Sequence, residues 1–319
     1  MLKFVRAALA EVESAPAELA SWRLPEDAVW IDLVQPTREE ELRVEQDLGL
    51  SIPTPEEMKE LEPSSRLYQE DGGTFMTIMV LLNADSEYPE TGPVTFVLAG
   101  QRLITLRYIE PRAFSIFTAQ AGREAHLCPE GFTTLLNLVD AIVNRASTVL
   151  ERTASQIDAL SKEVFAPTPT DFNAALRVLG RSQVINADIR ESLVSLARLL
   201  SYLTITPQMK EDPARKDRVA EISRDVQFLL DQASFETGNV SFLLDATLGF
   251  INNTQNNVIK ALTVAGAAFL PPTLLASIWG MNFEFMPELD ERWGYPAALA
   301  AIVMTGVAPL LWFKKRGWF

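Results

Sequence analysis

Two stretches near the C-terminal end contain no Asp, Glu, Lys or Arg: Ala261 to Met281 and Trp293 to Phe313. Each is about 21 residues, roughly 30 Å as a helix, which matches a bilayer's hydrocarbon core. The segment between them is too short to fold alone, so the pattern predicts a membrane hairpin: a first span at 256–281, a loop at 282–292, a second span at 293–313 and a tail at 314–319. Upstream, Ala214 to Ile278 meets no Pro before Pro271-Pro272, which predicts one helix of about 60 residues, roughly 90–100 Å long. Its part before the membrane, 208–255, reads as a stalk. Residues 131–207 read as an antiparallel helical hairpin. Leu135, Leu136, Val139, Ile142, Val143 and Ala146 recur at helical spacing, Pro167-Thr168-Pro169 breaks the run, and a second helix follows from Asp171 to Tyr202.

Residues 1–130 mix both periods. Ala28–Val34, Thr74–Leu82, Val94–Ala99 and Arg102–Tyr108 read as strands, with a tight turn at Ala99-Gly100-Gln101. Thr37 is placed to cap a helix opening Arg38-Glu39-Glu40-Glu41, and Pro53-Thr54-Pro55 to open a second, short one. The fold class is therefore an α+β domain followed by a long stalk helix and a two-helix transmembrane hairpin.

Charge narrows the function. The chain carries −14, and residues 252–319 hold five basic against four acidic side chains, so the part before residue 252 carries −15. Such a surface repels phosphates and argues against nucleic acid as a partner. The lone Cys128 excludes an internal disulfide. His126 and Cys128 lack the further His or Cys of a four-ligand zinc site and read as surface-loop residues. No nucleophile–base set and no phosphate-binding Gly loop occurs, so neither an enzyme nor an organic cofactor is expected. Arg6 and Glu11 interrupt the N-terminal apolar run, which argues against a signal peptide. Lys314, Lys315 and Arg316 follow the second span, whereas Glu284, Glu288, Asp290 and Glu291 outweigh Arg292 in the loop. The positive-inside rule puts the tail, and with it the N-terminal domain, in the cytoplasm.

One stripe on the long helix stands apart. Asp245, Asn252, Asn256, Ile259, Thr263, Gly266, Leu270, Thr273 and Ser277 follow one another at steps of seven, then alternately four and three, the period of a bundle seam, with Leu262 on its border. The stripe is polar at its cytoplasmic end, small or apolar in the middle and polar again near Thr273. Small and hydroxyl residues also favour plain packing of membrane helices.

The segment Ile278-Trp279-Gly280-Met281-Asn282-Phe283-Glu284-Phe285-Met286-Pro287-Glu288-Leu289, with Trp293-Gly294-Tyr295-Pro296 and the basic tail, resembles the CorA-type family of magnesium transport proteins. The likeness is at motif level over about residues 245–319. It implies a symmetric, funnel-shaped homopentamer in the inner (cytoplasmic) membrane that takes up Mg²⁺, with some passage of Co²⁺ or Ni²⁺. It implies a selectivity filter at Gly280, Met281 and Asn282, a pore lined by Asp245, Asn252, Asn256, Ile259, Leu262, Gly266, Leu270 and Thr273, and cation attraction by Glu284 and Glu288. Ile259 and Leu270 stand where the family often has Met. The resemblance also implies regulatory Mg²⁺ at acids of the soluble domain, for which Asp85, Glu87, Glu90 and Glu221 are the candidates; Glu221 replaces the family's usual aspartate. The alternatives are a ZntB-like zinc transporter, whose branch departs from Gly-Met-Asn, and a membrane-anchored scaffold that moves no ion.

Overall fold

The computed structural model describes residues 1–319 except 8–10, 17, 20, 61–65, 87–88, 168–170, 211, 283–285, 288–290 and 319. Contacts divide the chain into two units, Met1–Leu244 and Asp245–Phe319. This division falls earlier than the 255/256 boundary expected from hydropathy.

The first unit is organised on a sheet of β1 (Leu2–Arg6), β2 (Val12–Ser14), β3 (Ala28–Val34), β4 (Leu67–Glu70), β5 (Gly73–Leu82), β6 (Glu90–Ala99) and β7 (Arg102–Arg107). The order is β2-β1-β3-β7-β6-β5-β4. Only β3 and β7 pair in parallel, with Trp30 opposite Leu103 and Val34 opposite Arg107. Successive strand residues point to opposite faces, and here both faces are covered. Trp30, Met76, Ile78, Phe96 and Leu98 enter one core, while Ile31, Leu33, Phe75, Val97, Ile104 and Leu106 enter another with Val44, Ile52 and Met58. Burial on both sides is why these strands read as continuous apolar runs.

The helices are α1 (Arg38–Leu48), α2 (Arg112–Ala121), α3 (Gly131–Val164) and α4 (Phe172–Leu203), then α5 (Pro213–Trp279) and α6 (Gly294–Lys315). Thr37 caps α1 as expected: its hydroxyl accepts from Glu40 N, and the Glu40 carboxylate accepts from Thr37 N at 2.8 Å. Gly49 closes α1 in the left-handed region at φ 68°. Gly100, at φ 58°, makes the expected turn, with Ala99 paired to Arg102. Gly131 is dictated by space rather than by φ. A Cβ there would lie 2.4 Å from the Arg102 carbonyl carbon, so α3 can start against β7 only with glycine. Helix α4 is tied to β5 through Ser195, which bonds both the N–H and the carbonyl of Met79. The residue opposite Met79 is Pro93, which has no N–H to offer the ladder.

Several elements differ from expectation. The N-terminal run is strand β1; β2, β4 and α2 had no clear period in the sequence because they are short. The expected helix after Pro55 is a single 3-10 turn at Glu57–Lys59. Cys128 is a core residue rather than a surface one, 3 % exposed, and burial pushes its thiol up to about 11. The carboxylates of α3 and α4 are not all solvated either: burial raises Asp140 and Asp188 above the usual range.

Asp32 on β3 lies opposite Thr105 of β7, with Arg107 two residues further along β7, and all three are buried. Arg107 donates to Asp32 through Nη2 at 2.8 Å and Nε at 3.1 Å. Thr105 donates to Asp32 Oδ1 at 2.7 Å and accepts from the Trp30 indole at 3.0 Å. Removing one member leaves the other charge buried and unpaired. Asp32→Ala is therefore expected to destabilise the first unit by about 3–5 kcal/mol, read as a lower denaturant midpoint for loss of the sheet's circular dichroism, whereas an unchanged midpoint would mean that the pair carries no weight.

Candidate functional site

Helix α5 is continuous from Pro213 to Trp279, about 100 Å at 1.5 Å per residue. Both prolines lie inside it. Pro271 and Pro272 cannot donate to the carbonyls four residues back, those of Ala267 and Ala268. Helix α6 comes close at this point: a Cβ on Gly306 would stand 3.3 Å from the Ala268 carbonyl oxygen and from Pro272 Cγ. Glycine lets the two backbones approach here, as small residues do between membrane helices. Val264, Ala268, Pro271, Pro272 and Leu275 are correspondingly half-covered.

The stripe lies elsewhere on the helix. Asp245, Asn252, Asn256, Thr263, Thr273 and Ser277 are exposed, Ile259 by 58 %, Leu262 by 68 % and Leu270 by 70 %. Gly266 is half-covered. Thr263 donates to the Ile259 carbonyl at 2.8 Å and Thr273 to the Phe269 carbonyl at 2.6 Å. Their hydroxyls are thereby satisfied within the helix while oxygen lone pairs remain on its surface. The side chains of Asn252 and Asn256 have no hydrogen-bond partner among the described residues.

Gly280 and Met281 form the last turn of this helix. Gly280 N donates to the Ala276 carbonyl at 3.0 Å and Met281 N to that of Ile278 at 3.2 Å. Gly280 does not take the left-handed conformation expected of a helix-stopping glycine. It is instead a matter of room, since a Cβ would stand 3.1 Å from the Ala276 carbonyl oxygen. Asn282 follows directly and is exposed. Glu284 and Glu288 lie outside the described residues.

The sequence reading stopped the seam at Asp245, yet the same spacing runs further back. Phe228, Phe235 and Phe242 precede Asn256 by 28, 21 and 14 residues, all multiples of seven. They are 68 %, 62 % and 62 % exposed, and Phe242 stacks on Phe165 at 6.1 Å. The signal that could have found them was a large aromatic every seventh residue on a helix whose other face is Val219, Ile222, Val226, Leu229, Ala233 and Val240, all buried.

Among the described residues, Asp85, Glu90 and Glu221 form no cluster within one chain. Asp85 accepts from Arg112 and Arg145 at 2.6 Å each and also from Arg152, and these guanidinium groups hold its carboxyl at about 2, against an ordinary 3.8. Glu221 is paired with Arg218 at 2.9 Å. Glu90 is exposed at the start of β6; its charge and that of Glu191 add to burial in raising Asp188. Glu87 lies outside the described residues. A divalent ion at Asp85 would have to enter among three guanidinium groups, so this side chain, as placed, does not fit a metal. The sequence could not show this, because the arginines come from α2 and α3, 27 to 67 residues away.

Residues 25–315 match the family described as CorA-like Mg2+ transporter protein. The chain is 34% identical over 293 residues to the magnesium transport protein CorA of Salmonella typhimurium, covering 92% of each. Among solved structures it is similar to the CorA magnesium transporter of Methanocaldococcus jannaschii, with a TM-score of 0.77 over 100% of this chain and 99% of that one at 16% identity. It is also similar to the ZntB cytoplasmic domain of Vibrio parahaemolyticus, with a TM-score of 0.53 over 79% of this chain and 98% of that one at 12% identity. At these identities the solved structures speak to the fold alone. The match over residues 25–315, together with the 34% identity, shows that the chain belongs to the CorA-like Mg²⁺ transporter family.

Proposed function

We propose that the chain is a subunit of a homopentameric transporter that carries hydrated Mg²⁺ across the inner membrane, with both termini in the cytoplasm. The observation that carries this reading is the stripe from Asp245 to Ser277, left uncovered by α6 and leading to Asn282 at the helix end. Exposed amides on a membrane helix are costly unless water or another polar surface meets them. Copies of α5 arranged around one axis would give them a shared water-filled path.

The chemistry follows from the ion. Mg²⁺ holds its water tightly and keeps octahedral geometry. A ring of Asn282 carbonyl oxygens can accept hydrogen bonds from the ion's water shell without stripping it. The amide is neutral, so it recognises the hydrated ion without trapping it, as a carboxylate ring would. Glu284 and Glu288 would concentrate cations at the mouth. Asn256 and Asn252 would serve the cytoplasmic end, with Asp245 as an entrance carboxylate. Ile259, Leu262 and Leu270 would form apolar constrictions that close by excluding water, with Gly266 and Thr273 between and beyond them. Co²⁺ and Ni²⁺ would share the path as hydrated divalent ions of similar charge.

Phe228, Phe235 and Phe242 support assembly. They would continue the seam below the membrane, where their burial against other copies releases water from three aromatic surfaces per chain. Intracellular Mg²⁺ as a regulator would act through Glu87, Glu90 or Glu221, whose exposed pair with Arg218 is weak, rather than through Asp85, which three arginines hold. The zinc-carrier reading is weaker, because the chain keeps Gly-Met-Asn at residues 280–282 and has one His and one Cys to offer a softer metal.

Two outcomes are expected. In vesicles containing the purified protein, Asn282→Ala lowers Mg²⁺ uptake by about tenfold or more; equal flux in both proteins removes Asn282 from the filter. Replacing Phe235 and Phe242 by Ala forfeits about 1.5–3 kcal/mol per side chain of burial between copies, so light scattering in detergent should show dissociation at concentrations where the wild type stays assembled. An unchanged oligomer would place the aromatic seam outside the assembly.

A further inference from the structure

Four guanidinium groups from three helices converge on the connection between β5 and β6. Arg112 of α2 and Arg145 of α3 donate to Asp85 Oδ2 at 2.6 Å. Arg152 of α3 donates to Asp85 Oδ1 and, at 2.7 Å, to the Ala84 carbonyl. Arg181 of α4 donates to the Ser86 carbonyl. Beside them is a cavity of 380 Å³ lined by Asn83, Asp85, Ser86, Glu110, Arg112 and Arg145. Among the described residues, and counting Glu110, four cations face two carboxylates, a surplus of +2 on a chain whose net charge is −14.

A loop clasp needs one arginine per carboxylate. Further arginines brought to the same carboxylate repel one another, and Arg145, with its side chain only 14 % exposed, has little water to screen it. Such a cluster is stabilised by an anion carrying more charge and more acceptor oxygens than a carboxylate. Phosphate is that anion: it is dianionic near neutral pH, and its oxygens accept paired N–H bonds from guanidinium forks. Asp85 is 39 % exposed at its side chain, so it can leave the cluster for solvent.

We propose that Arg112, Arg145 and Arg152 form an oxyanion site that takes the phosphate group of inorganic phosphate or of a phosphorylated small molecule, with Asp85 as a tethered occupant that the ligand displaces. Displacement leaves the Asn83–Ser86 connection tied only through its backbone carbonyls, by Arg152 at Ala84 and Arg181 at Ser86. A cation site at the same place is opposed by the same charges. The site is independent of the transport path, so its test does not depend on flux.

The test is isothermal titration of the purified full-length protein in detergent with inorganic phosphate, near neutral pH, with chloride keeping ionic strength constant. Saturable binding is expected. Asp85→Asn removes the competing charge and should tighten it by about tenfold or more, the worth of a charge-assisted hydrogen bond. Arg112→Gln, at a side chain 65 % exposed and therefore benign to folding, should weaken it by a similar factor. Arg112→Gln with Arg145→Gln should abolish it. A response to short-chain phosphatidic acid in the micelle, and none to inorganic phosphate, keeps the site and makes a lipid headgroup its source. No saturable binding by wild type or Asp85→Asn of either phosphate form up to about 10 mM would overturn the proposal. So would binding of Mg²⁺ that is lost in Asp85→Asn.

Discussion

A polar side chain on a helix at a membrane must meet water or a partner, and on α5 Asn252 and Asn256, like Asn253, Gln255 and Asn257, are exposed with no hydrogen-bond partner among the described residues. Thr263 and Thr273 turn their hydroxyls onto carbonyls one turn back. Asn252 and Asn256, exposed at the cytoplasmic end of the stripe, make no such bond among the described residues. An unpaired amide removed from water costs several kcal/mol. The stripe therefore needs water or another polar surface, and the proposed seam, with Phe228, Phe235 and Phe242 below it and Asn282 at its end, would supply one. Where α6 covers α5, at Ala268 and Pro272, the residue opposite is Gly306 and the contact is tight.

The same economy shapes the first unit. A sheet buried on both faces excludes water from Asp32 and Arg107, which then satisfy each other together with Thr105. Charge is treated differently at the β5–β6 connection, where among the described residues arginines exceed carboxylates. The acid expected to bind a cation is held by cations of the protein's own.

Much of this architecture was legible in the sequence because it rests on strong, long-range periods. The two uncharged runs, the capping pair Thr37 and Glu40, and the Gly100 turn each carry a local physical signature. So do the strands Ala28–Val34 and Thr74–Leu82, whose apolar runs are bounded by turn residues. What escaped was short or non-local. Strands of three to five residues such as β1, β2 and β4 show too few repeats to betray a period. The burial of Cys128 depends on α3 and the sheet, not on its neighbours in sequence. The candidate site divides the same way: Gly280, Met281 and Asn282 form a contiguous motif at a helix end, whereas the fate of Asp85 was decided by arginines far along the chain. Phe228, Phe235 and Phe242 were visible but lay in a stretch read only for its length.

The central claim is that one face of α5 meets water within the bilayer and the others do not. Substituted-cysteine labelling reads this directly, and Cys128, buried with its thiol held protonated, provides a quiet background. Thr273→Cys on the seam is expected to react readily with a membrane-impermeant thiol reagent while Ala265→Cys, exposed but off the seam, stays unlabelled. Equal labelling at the two positions, or labelling of Ala265→Cys alone, would contradict it.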